Sequence, residues 1–215
     1  MSRDRSGDLP IVETIDLAVD REDRPAVAGL VLAAGESSRF GAENKLLEPV
    51  GGEPIVRHAA RTLLRACVDP VVVVLGHEAE RVRTALDGLD LEFVVNEAYE
   101  TGQASSLRTG IRAVRDRHTV DGVVVSLGDM PFVDPATVDA LVASFARGAG
   151  DALAPAYERE RGNPVLFAEG HFDALSDVDG DVGGRRILLE HDASALVAVD
   201  DPGVRRDVDT PEDVP

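Results

Sequence analysis

The chain has 215 residues and a formal net charge of −18 at pH 7, from 40 acidic and 22 basic side chains. A field of this sign excludes nucleic acid and anionic membranes as partners held by overall charge. The sequence has no apolar run of the roughly 18 residues that a membrane span needs, and its single cysteine excludes an intramolecular disulfide. We therefore expect a soluble, cytoplasmic protein.

The predicted elements alternate along most of the chain. Residues 1–26 are predicted to be an acidic arm with a short edge strand at 11–15, and residues 27–215 a single domain. Predicted strands lie at 27–33, 71–75, 91–95, 122–127 and 195–199, with a hairpin of 152–157 and 163–167. Predicted helices run from Pro54 to about Cys67, over 78–87, from Ser106, from Pro135, over 184–190, and after a cap at Asp209 or Thr210. This order predicts an α/β protein of three layers, with a mostly parallel sheet and a small antiparallel hairpin.

One stretch stands out for its chemistry: L-A-A-G-E-S-S-R-F-G-A-E-N-K-L-L at 32–47. A buried strand opens here into a glycine-bounded loop, in which Ala33, Ala34 and Gly35 leave room for a flat group against the backbone. Ser37, Ser38, Arg39 and Lys45 can hold phosphates. The glycines fit neither the Walker pattern nor G-x-G-x-x-G, which disfavours both classes of site.

Lysine usage singles out the same loop. Lys45 is the only lysine, and every other basic residue is arginine. Few lysines and many acidic residues indicate adaptation to a high-salt, halophilic cytoplasm, although GC-biased codon usage has the same effect. Because an ammonium is a compact point charge and a guanidinium a broad fork, we interpret Lys45 as a position that needs the smaller cation.

The stretch resembles the signature of nucleotidyltransferases with the Rossmann-like nucleotide-diphospho-sugar transferase fold. Within that group it is most similar to the MobA-like molybdenum cofactor cytidylyltransferases and guanylyltransferases. Four further stretches follow in the family's order: T-G-Q-A-S-S-L-R-T-G at 101–110, L-G-D-M-P at 127–131, R-G-N-P-V-L-F at 161–167 and D-V-D-T-P-E-D at 207–213. The first 26 residues lie outside the resemblance.

The resemblance implies a role for each stretch. The base and ribose would meet Leu32, Ala33, Ala34 and Gly35, while Arg39 and Lys45 would neutralise the triphosphate. Mg²⁺ would be held by Asp129, which follows a central strand, and by Asp209, with Asp207 beside it. Ser105 and Ser106 at a helix start, with Arg108, would form a second anion site. The pterin phosphate would face Asn163, Gly180 and Asp181.

The implied reaction is transfer of CMP from CTP to the phosphate of molybdenum-bound molybdopterin, with release of pyrophosphate. S-S-L-R-T-G favours CTP, because the guanylyltransferases tend to carry G-P-L-A-G there. Three alternatives stay open: a GTP-dependent guanylyltransferase, a cytidylyltransferase for a sugar or polyol phosphate, and a chaperone that delivers finished cofactor to a molybdenum oxidoreductase. Three of the site residues also have a purely structural interpretation: Asp129 as a turn residue, Asp209 as a helix cap and Asn163 as the first residue of a strand.

Overall fold

A central sheet organises the chain. The computed structural model describes residues 9–13, 24–36, 44–178, 184–210 and 213. Within these ranges the strands are β1 (Ile11–Val12), β2 (Val27–Ala33), β3 (Pro49–Val50), β4 (Glu53–Pro54), β5 (Val71–Leu75), β6 (Glu92–Val95), β7 (Gly122–Leu127), β8 (Ala152–Tyr157), β9 (Glu160–Arg161), β10 (Val165–Ala168) and β11 (Ser194–Ala198). Among the described residues, nine strands form one sheet in the order β1-β11-β8-β10-β7-β2-β5-β6, with β9 paired to β8. Strands β3 and β4 form a separate antiparallel pair.

Apart from the short strand β9, which is antiparallel to β8, the sheet is parallel on both sides of one reversed strand. β7, β2, β5 and β6 pair in parallel, as do β8, β11 and β1. Strand β10 lies between the two groups and is antiparallel to both β7 and β8. The predicted α/β class, with a mostly parallel sheet and a small antiparallel component, is therefore confirmed.

Helices cover both faces of the sheet. They are α1 (Ile55–Arg65), α2 (Ala79–Ala85), α3 (Gln103–Arg117), α4 (Pro135–Ala146), α5 (Phe172–Ser176) and α6 (Arg185–Glu190). One apolar cluster joins α1, α2 and α4 to one face, and a second joins α3, α5 and α6 to the other. Strands such as β5 are buried along their whole length because both faces are covered. None of the described helices is long and apolar enough to cross a membrane.

Several predicted boundaries need correction. Pro54 is the N-cap of α1 and not its first helical residue, and α1 ends at Arg65, so Cys67 lies beyond the helix. α3 begins at Gln103, which places Ser106 inside its first turns. The two arms of the predicted hairpin do pair, but the short strand β9 lies between them in the chain.

The two ends of the chain need a separate description. Ile11–Val12 of the predicted arm form the edge strand β1, which pairs with β11. At the other end, the carboxylate of Asp213 accepts hydrogen bonds from the backbone N–H groups of Asp209 and Thr210 and from the Thr210 hydroxyl. This is the reciprocal half of a capping box. The helix predicted to follow lies almost wholly outside the described residues.

Candidate active site

Three charged side chains from distant parts of the chain meet beyond the carboxyl ends of β2 and β7. The ammonium of Lys45 lies 2.7 Å from Oδ2 of Asp129 and 2.9 Å from Oδ1 of Asp209. Lys45 and Asp129 are largely buried, with side chains 15% and 20% exposed, whereas Asp209 is 41% exposed. A single cation thus bridges two carboxylates at the edge of the sheet where open α/β proteins bind ligands.

Local structure explains why each member of this trio points where it does. Asn44 accepts a 3.1 Å hydrogen bond from the backbone N–H of Leu46, which caps the short 3₁₀ turn that carries Lys45. The backbone N–H of Val208 donates to the carbonyl of Asp129 at 3.0 Å, so the two segments that carry the carboxylates are joined directly. Val208, between Asp207 and Asp209, is fully buried in a small apolar cluster with Val50 and Ile55, which anchors this segment beside the site.

The ends of β2 and β7 also approach closely. Gly128 donates its backbone N–H to the carbonyl of Leu32 at 2.9 Å. A Cβ at position 128 would lie 3.0 Å from that same carbonyl oxygen. The glycine of L-G-D-M-P therefore lets the chain turn against β2 while Asp129 enters the site.

Burial and the carboxylates at the site perturb the pKa of Lys45 and that of the neighbouring Asp207. Burial alone would lower the pKa of Lys45, but the carboxylates of Asp129 and Asp209 outweigh it and raise this pKa above its ordinary value. Burial, followed by the nearby carboxylates of Asp209 and Asp129, raises the pKa of Asp207. An ammonium with a raised pKa between two carboxylates remains charged throughout the neutral range.

A cleft of about 370 Å³ opens beside the trio. It is lined by Leu32, Ala34, Gly35, Glu36, Lys45, Leu46, Tyr99, Glu100, Gly102, Gln103, Ser106, Leu127, Asp129 and Asp209. The structure thus brings Leu32, Ala34, Gly35, Lys45, Ser106, Asp129 and Asp209 together, all of which were predicted site residues. Ala33 is adjacent but lies in the core, with 1% of its surface exposed.

Other predicted site residues lie elsewhere. Arg108 does not line the cleft, and its guanidinium donates to the carbonyl of Val178. With Arg112, which donates to the carbonyl of Ser176 at 2.9 Å, it satisfies backbone oxygens at the C-terminal end of α5. Asn163 also lies away from the cleft lining, with its backbone N–H bonded to the carbonyl of Val204. Ser37, Arg39 and Asp181 fall outside the described residues.

The structure adds residues that sequence reasoning missed. Tyr99, Glu100 and Gln103 form a wall of the cleft, and buried Asn96 is hydrogen-bonded to Ala98 just before this wall and to Ser105 and Ser106 just after it. The signal for Asn96 was its place directly after an apolar strand. For the wall residues, the signal was the glycine at 102, which precedes α3 and adopts a positive φ of 102°.

Asp129 and Asp209 are also the carboxylates that could hold a metal ion. No group of three or more His, Cys, Asp and Glu side chains suited to a metal occurs in the described part of the chain. However, Mg²⁺ commonly takes only one or two carboxylates, and phosphate oxygens and water complete its shell. The buried Oδ1 of Asp129 has no hydrogen-bond partner among the described residues, which leaves one hard oxygen donor available. The donor set therefore fits a divalent cation that binds together with a phosphate ligand.

Comparison with known proteins identifies the family. The model of the MobA-like NTP transferase domain matches residues 29–207. The chain belongs to this family. The matched range contains Lys45 and Asp129 and ends at Asp207, two positions before Asp209. The protein is accordingly a nucleotidyltransferase. The resemblance of its motifs to MobA-like nucleotidyltransferases is confirmed at the level of the family.

Individual relatives of this MobA-like NTP transferase carry different names. The chain is 34% identical over 197 residues to nicotine blue oxidoreductase of Paenarthrobacter nicotinovorans, which covers 88% of this chain and 95% of the relative. It is 32% identical to a probable molybdenum cofactor guanylyltransferase of Natronomonas pharaonis, over 86% and 94% of the two chains. Among solved structures, Rv0371c of Mycobacterium tuberculosis is 30% identical with a TM-score of 0.76, over 88% and 96%. A complex of Rv0371c with manganese has a TM-score of 0.71 at 30% identity, over 87% and 95%.

Proposed function

We propose that this MobA-like NTP transferase moves CMP from CTP to the terminal phosphate of molybdenum-bound molybdopterin and releases pyrophosphate. The observation that carries the proposal is the ion-paired trio of Lys45, Asp129 and Asp209 at the mouth of the cleft. The ammonium at this position suits charge neutralisation of a triphosphate, and the two carboxylates suit a divalent cation that would add to that neutralisation. The acceptor phosphate is already ionised near neutral pH, so the reaction needs in-line positioning and no strong general base.

Each side chain has a defined task in this reaction. The end of β2, from Leu32 to Gly35, offers backbone groups to the base and ribose along the cleft. Lys45 carries its charge on a flexible stem, so it can turn from the carboxylates to a phosphate oxygen and stabilise the departing pyrophosphate. Asp129 and Asp209 would hold Mg²⁺, which when bound supplies further neutralisation of the triphosphate. The manganese complex of Rv0371c supports a divalent cation in a relative.

The choice of base rests on two opposing observations. The S-S-L-R-T-G stretch supports CTP through its resemblance to cytidylyltransferases. The name of the N. pharaonis relative supports GTP, which makes the guanylyltransferase the second candidate. Both candidates use the same trio and the same kind of acceptor, and they differ only in the groups that meet the base.

One assay separates these candidates. Pyrophosphate release is measured with each of the four nucleoside triphosphates, with and without molybdopterin, in the presence of Mg²⁺ or Mn²⁺. We expect release with CTP that depends on molybdopterin. If GTP is the only nucleotide that supports molybdopterin-dependent release, GTP takes the place of CTP in the proposal. Release that needs a sugar or polyol phosphate would change the acceptor. If no nucleotide is turned over and finished cofactor binds, the delivery chaperone that hands it to a molybdenum oxidoreductase is supported.

Because the P. nicotinovorans relative is named an oxidoreductase, the experiment also includes an assay for redox activity. Oxidation and reduction of nicotine blue are followed with the same protein preparation. Turnover here without pyrophosphate release would overturn the transferase proposal for this chain.

High salt is a second part of the proposal. The charge of −18 and the single lysine support adaptation to a cytoplasm rich in potassium chloride. Screening at about 1 M salt reduces the Debye length to about 3 Å and relieves repulsion among the surface carboxylates. Activity that rises between 0.1 and 2 M KCl is the expected result, and a steady fall over that range would favour the codon-bias explanation.

A further inference from the structure

Asn96 is buried at the back of the cleft, in a fixed orientation. It follows β6 directly and is 3% exposed. Its backbone N–H donates to the carbonyl of Leu75 at 2.8 Å, and its side-chain Oδ1 accepts from the backbone N–H of Ala98 at 3.0 Å. If the amide were turned over, its NH₂ group would face the N–H of Ala98, donor against donor. The contact with Ala98 therefore determines which end of the amide faces α3.

The NH₂ end of Asn96 serves two neighbouring hydroxyls. Nδ2 donates to Oγ of Ser105 at 2.8 Å and to Oγ of Ser106 at 3.0 Å. These two bonds use both hydrogens of the amide, and both hydroxyl oxygens act as acceptors towards it. Each serine then has one proton left to donate.

The two serine protons have different destinations. The hydroxyl of Ser105 faces the carbonyls of Gly102, at 2.8 Å, and Ala98, at 3.0 Å, so its proton stays inside the protein. Within the described part of the chain no acceptor takes the proton of Ser106. Ser106 lines the cleft, in contrast to Ser105. The direction of hydrogen bonding thus runs from Asn96 through Ser106 towards whatever occupies the cleft.

We propose that Asn96 is a positioning residue that makes the Ser106 hydroxyl an obligatory donor towards an acceptor atom of the base of the bound nucleotide. The inference rests on the proposed nucleotidyl transfer only for the identity of the ligand. Cytosine offers O2 and N3 as acceptors in a nucleotide, and guanine offers O6 and N7. A hydroxyl free to rotate could present either a donor or a lone pair, whereas one that already accepts from a buried amide presents its donor.

In the Asn96→Asp variant, the hydrogen bonds between residue 96 and the two serine hydroxyls would run in the opposite direction, while the shape of side chain 96 stays nearly the same. A carboxylate accepts only, so both serine hydroxyls would donate to it and Ser106 would show lone pairs to the cleft. We expect the dissociation constant of CTP to rise about tenfold, the scale of one hydrogen bond to an acceptor that is lost and left unpaired. The KM for CTP should rise in parallel, with kcat changed less than threefold.

A double-mutant cycle separates polarity from charge. Asp at position 96 also adds a negative charge, which would weaken triphosphate binding with or without Ser106. CTP binding is therefore measured by calorimetry for the wild type, Asn96→Asp, Ser106→Ala and the double variant. The proposal expects Asn96→Asp to have less than a twofold effect in the Ser106→Ala background. An equal loss in both backgrounds would overturn it.

Ser105→Ala is the matched control, because the structure does not place Ser105 at the predicted anion site: its hydroxyl donates to the carbonyls of Gly102 and Ala98 inside the protein. It removes a hydroxyl that also accepts from Asn96 but does not line the cleft. It should lower the melting temperature while CTP affinity stays within about twofold of wild type. A loss of affinity as large as that of Ser106→Ala would contradict the separate roles assigned to the two serines.

Two further measurements keep the inference testable if Asn96→Asp fails to fold. The wild type and Ser106→Ala are compared for binding of 2-thio-CTP and 3-deaza-CTP, each of which weakens one acceptor of cytosine. One analogue should bind the wild type about tenfold more weakly than CTP does and show no such deficit with Ser106→Ala. Equal deficits in both proteins, or none, would refute the donor role. If GTP binds instead of CTP, the cycle is run with GTP, so the base proposal can fail while the polarity proposal stands.

Discussion

Replacement of Lys45 by methionine tests the candidate site most directly. Methionine keeps a long unbranched side chain but removes the ammonium that lies 2.7 Å and 2.9 Å from the carboxylates of Asp129 and Asp209. Exposed ion pairs contribute about 0–1 kcal/mol, whereas breaking a buried pair costs about 3–5 kcal/mol. Exposures of 15% for Lys45, 20% for Asp129 and 41% for Asp209 place this trio between those limits. We expect the free energy of unfolding to fall by about 1–3 kcal/mol, or roughly 3–10 °C in melting temperature.

The same substitution should raise the affinity for a divalent cation. In the wild type, a metal ion that binds Asp129 and Asp209 must displace or repel the ammonium that already bridges them. Without the ammonium, Asp129 and Asp209 lose the cation that bridges them, so Mn²⁺ should bind at least tenfold more tightly and should restore much of the lost stability. Electron paramagnetic resonance of free Mn²⁺, without nucleotide, measures this affinity directly. Turnover should nevertheless fall more than a hundredfold, because the triphosphate loses its cation.

Lys45→Arg is the matched control for charge. It should keep stability near that of the wild type and keep Mn²⁺ affinity low, because a guanidinium also bridges carboxylates. Near-normal turnover of Lys45→Met would refute the assignment of Lys45 to catalysis. Weaker Mn²⁺ binding by Lys45→Met than by the wild type would refute the competition between ammonium and metal.

Three further predictions follow from single sites. Asp129→Asn should stay folded and abolish metal-dependent pyrophosphate release; an unchanged response to Mg²⁺ concentration would count against Asp129 as a ligand. Burial, followed by a hydrogen bond with Asp139, raises the pKa of the Cys67 thiol from its ordinary 9.0 to about 12. Above pH 9 the unfolded chain releases a proton that the folded chain retains, so stability to urea should fall with rising pH, and Cys67→Ala should show less of this decline. Gly110→Ala should destabilise the protein by about 1–3 kcal/mol, because its Cβ would lie 2.6 Å from Leu30; denaturant unfolding as stable as the wild type would contradict this packing.

The strands were predictable because their limits are local. Val71–Leu75 has the predicted bounds, since a proline precedes the apolar run and a glycine follows it. The end of α1 was not predictable in the same way. The periodic pattern continues to Cys67, but the backbone becomes extended at Ala66, and the N–H of Cys67 donates to Asp139 in α4 at 2.7 Å. That bond joins residues 72 positions apart, which no local pattern reveals.

In the candidate site, too, local motifs predicted individual residues but not the long-range contacts among them. Motifs pointed to Lys45, Asp129 and Asp209 separately, but not to their direct pairing across 84 and 164 positions. Arg108 illustrates the opposite case, because a cation on the first turns of a helix was a reasonable anion ligand. Its guanidinium donates to the carbonyl of Val178, a contact across 70 positions that no local pattern reveals, and the side chain does not line the cleft.

The trio also bears on how an acidic protein can hold an acidic substrate. One ammonium between two carboxylates leaves the group with a net negative charge, which adds to the field of a chain whose net charge is −18. A triphosphate meets repulsion at such a site, whereas a divalent cation on the two carboxylates would make the group positive and leave the ammonium of Lys45 for the phosphates. Lysine suits this movement from carboxylates to phosphates better than arginine does. Its charge lies at the end of a flexible side chain and forms no bidentate pair with a carboxylate. In the proposed reaction, the single lysine of the sequence would therefore lie where a cation has to change partners.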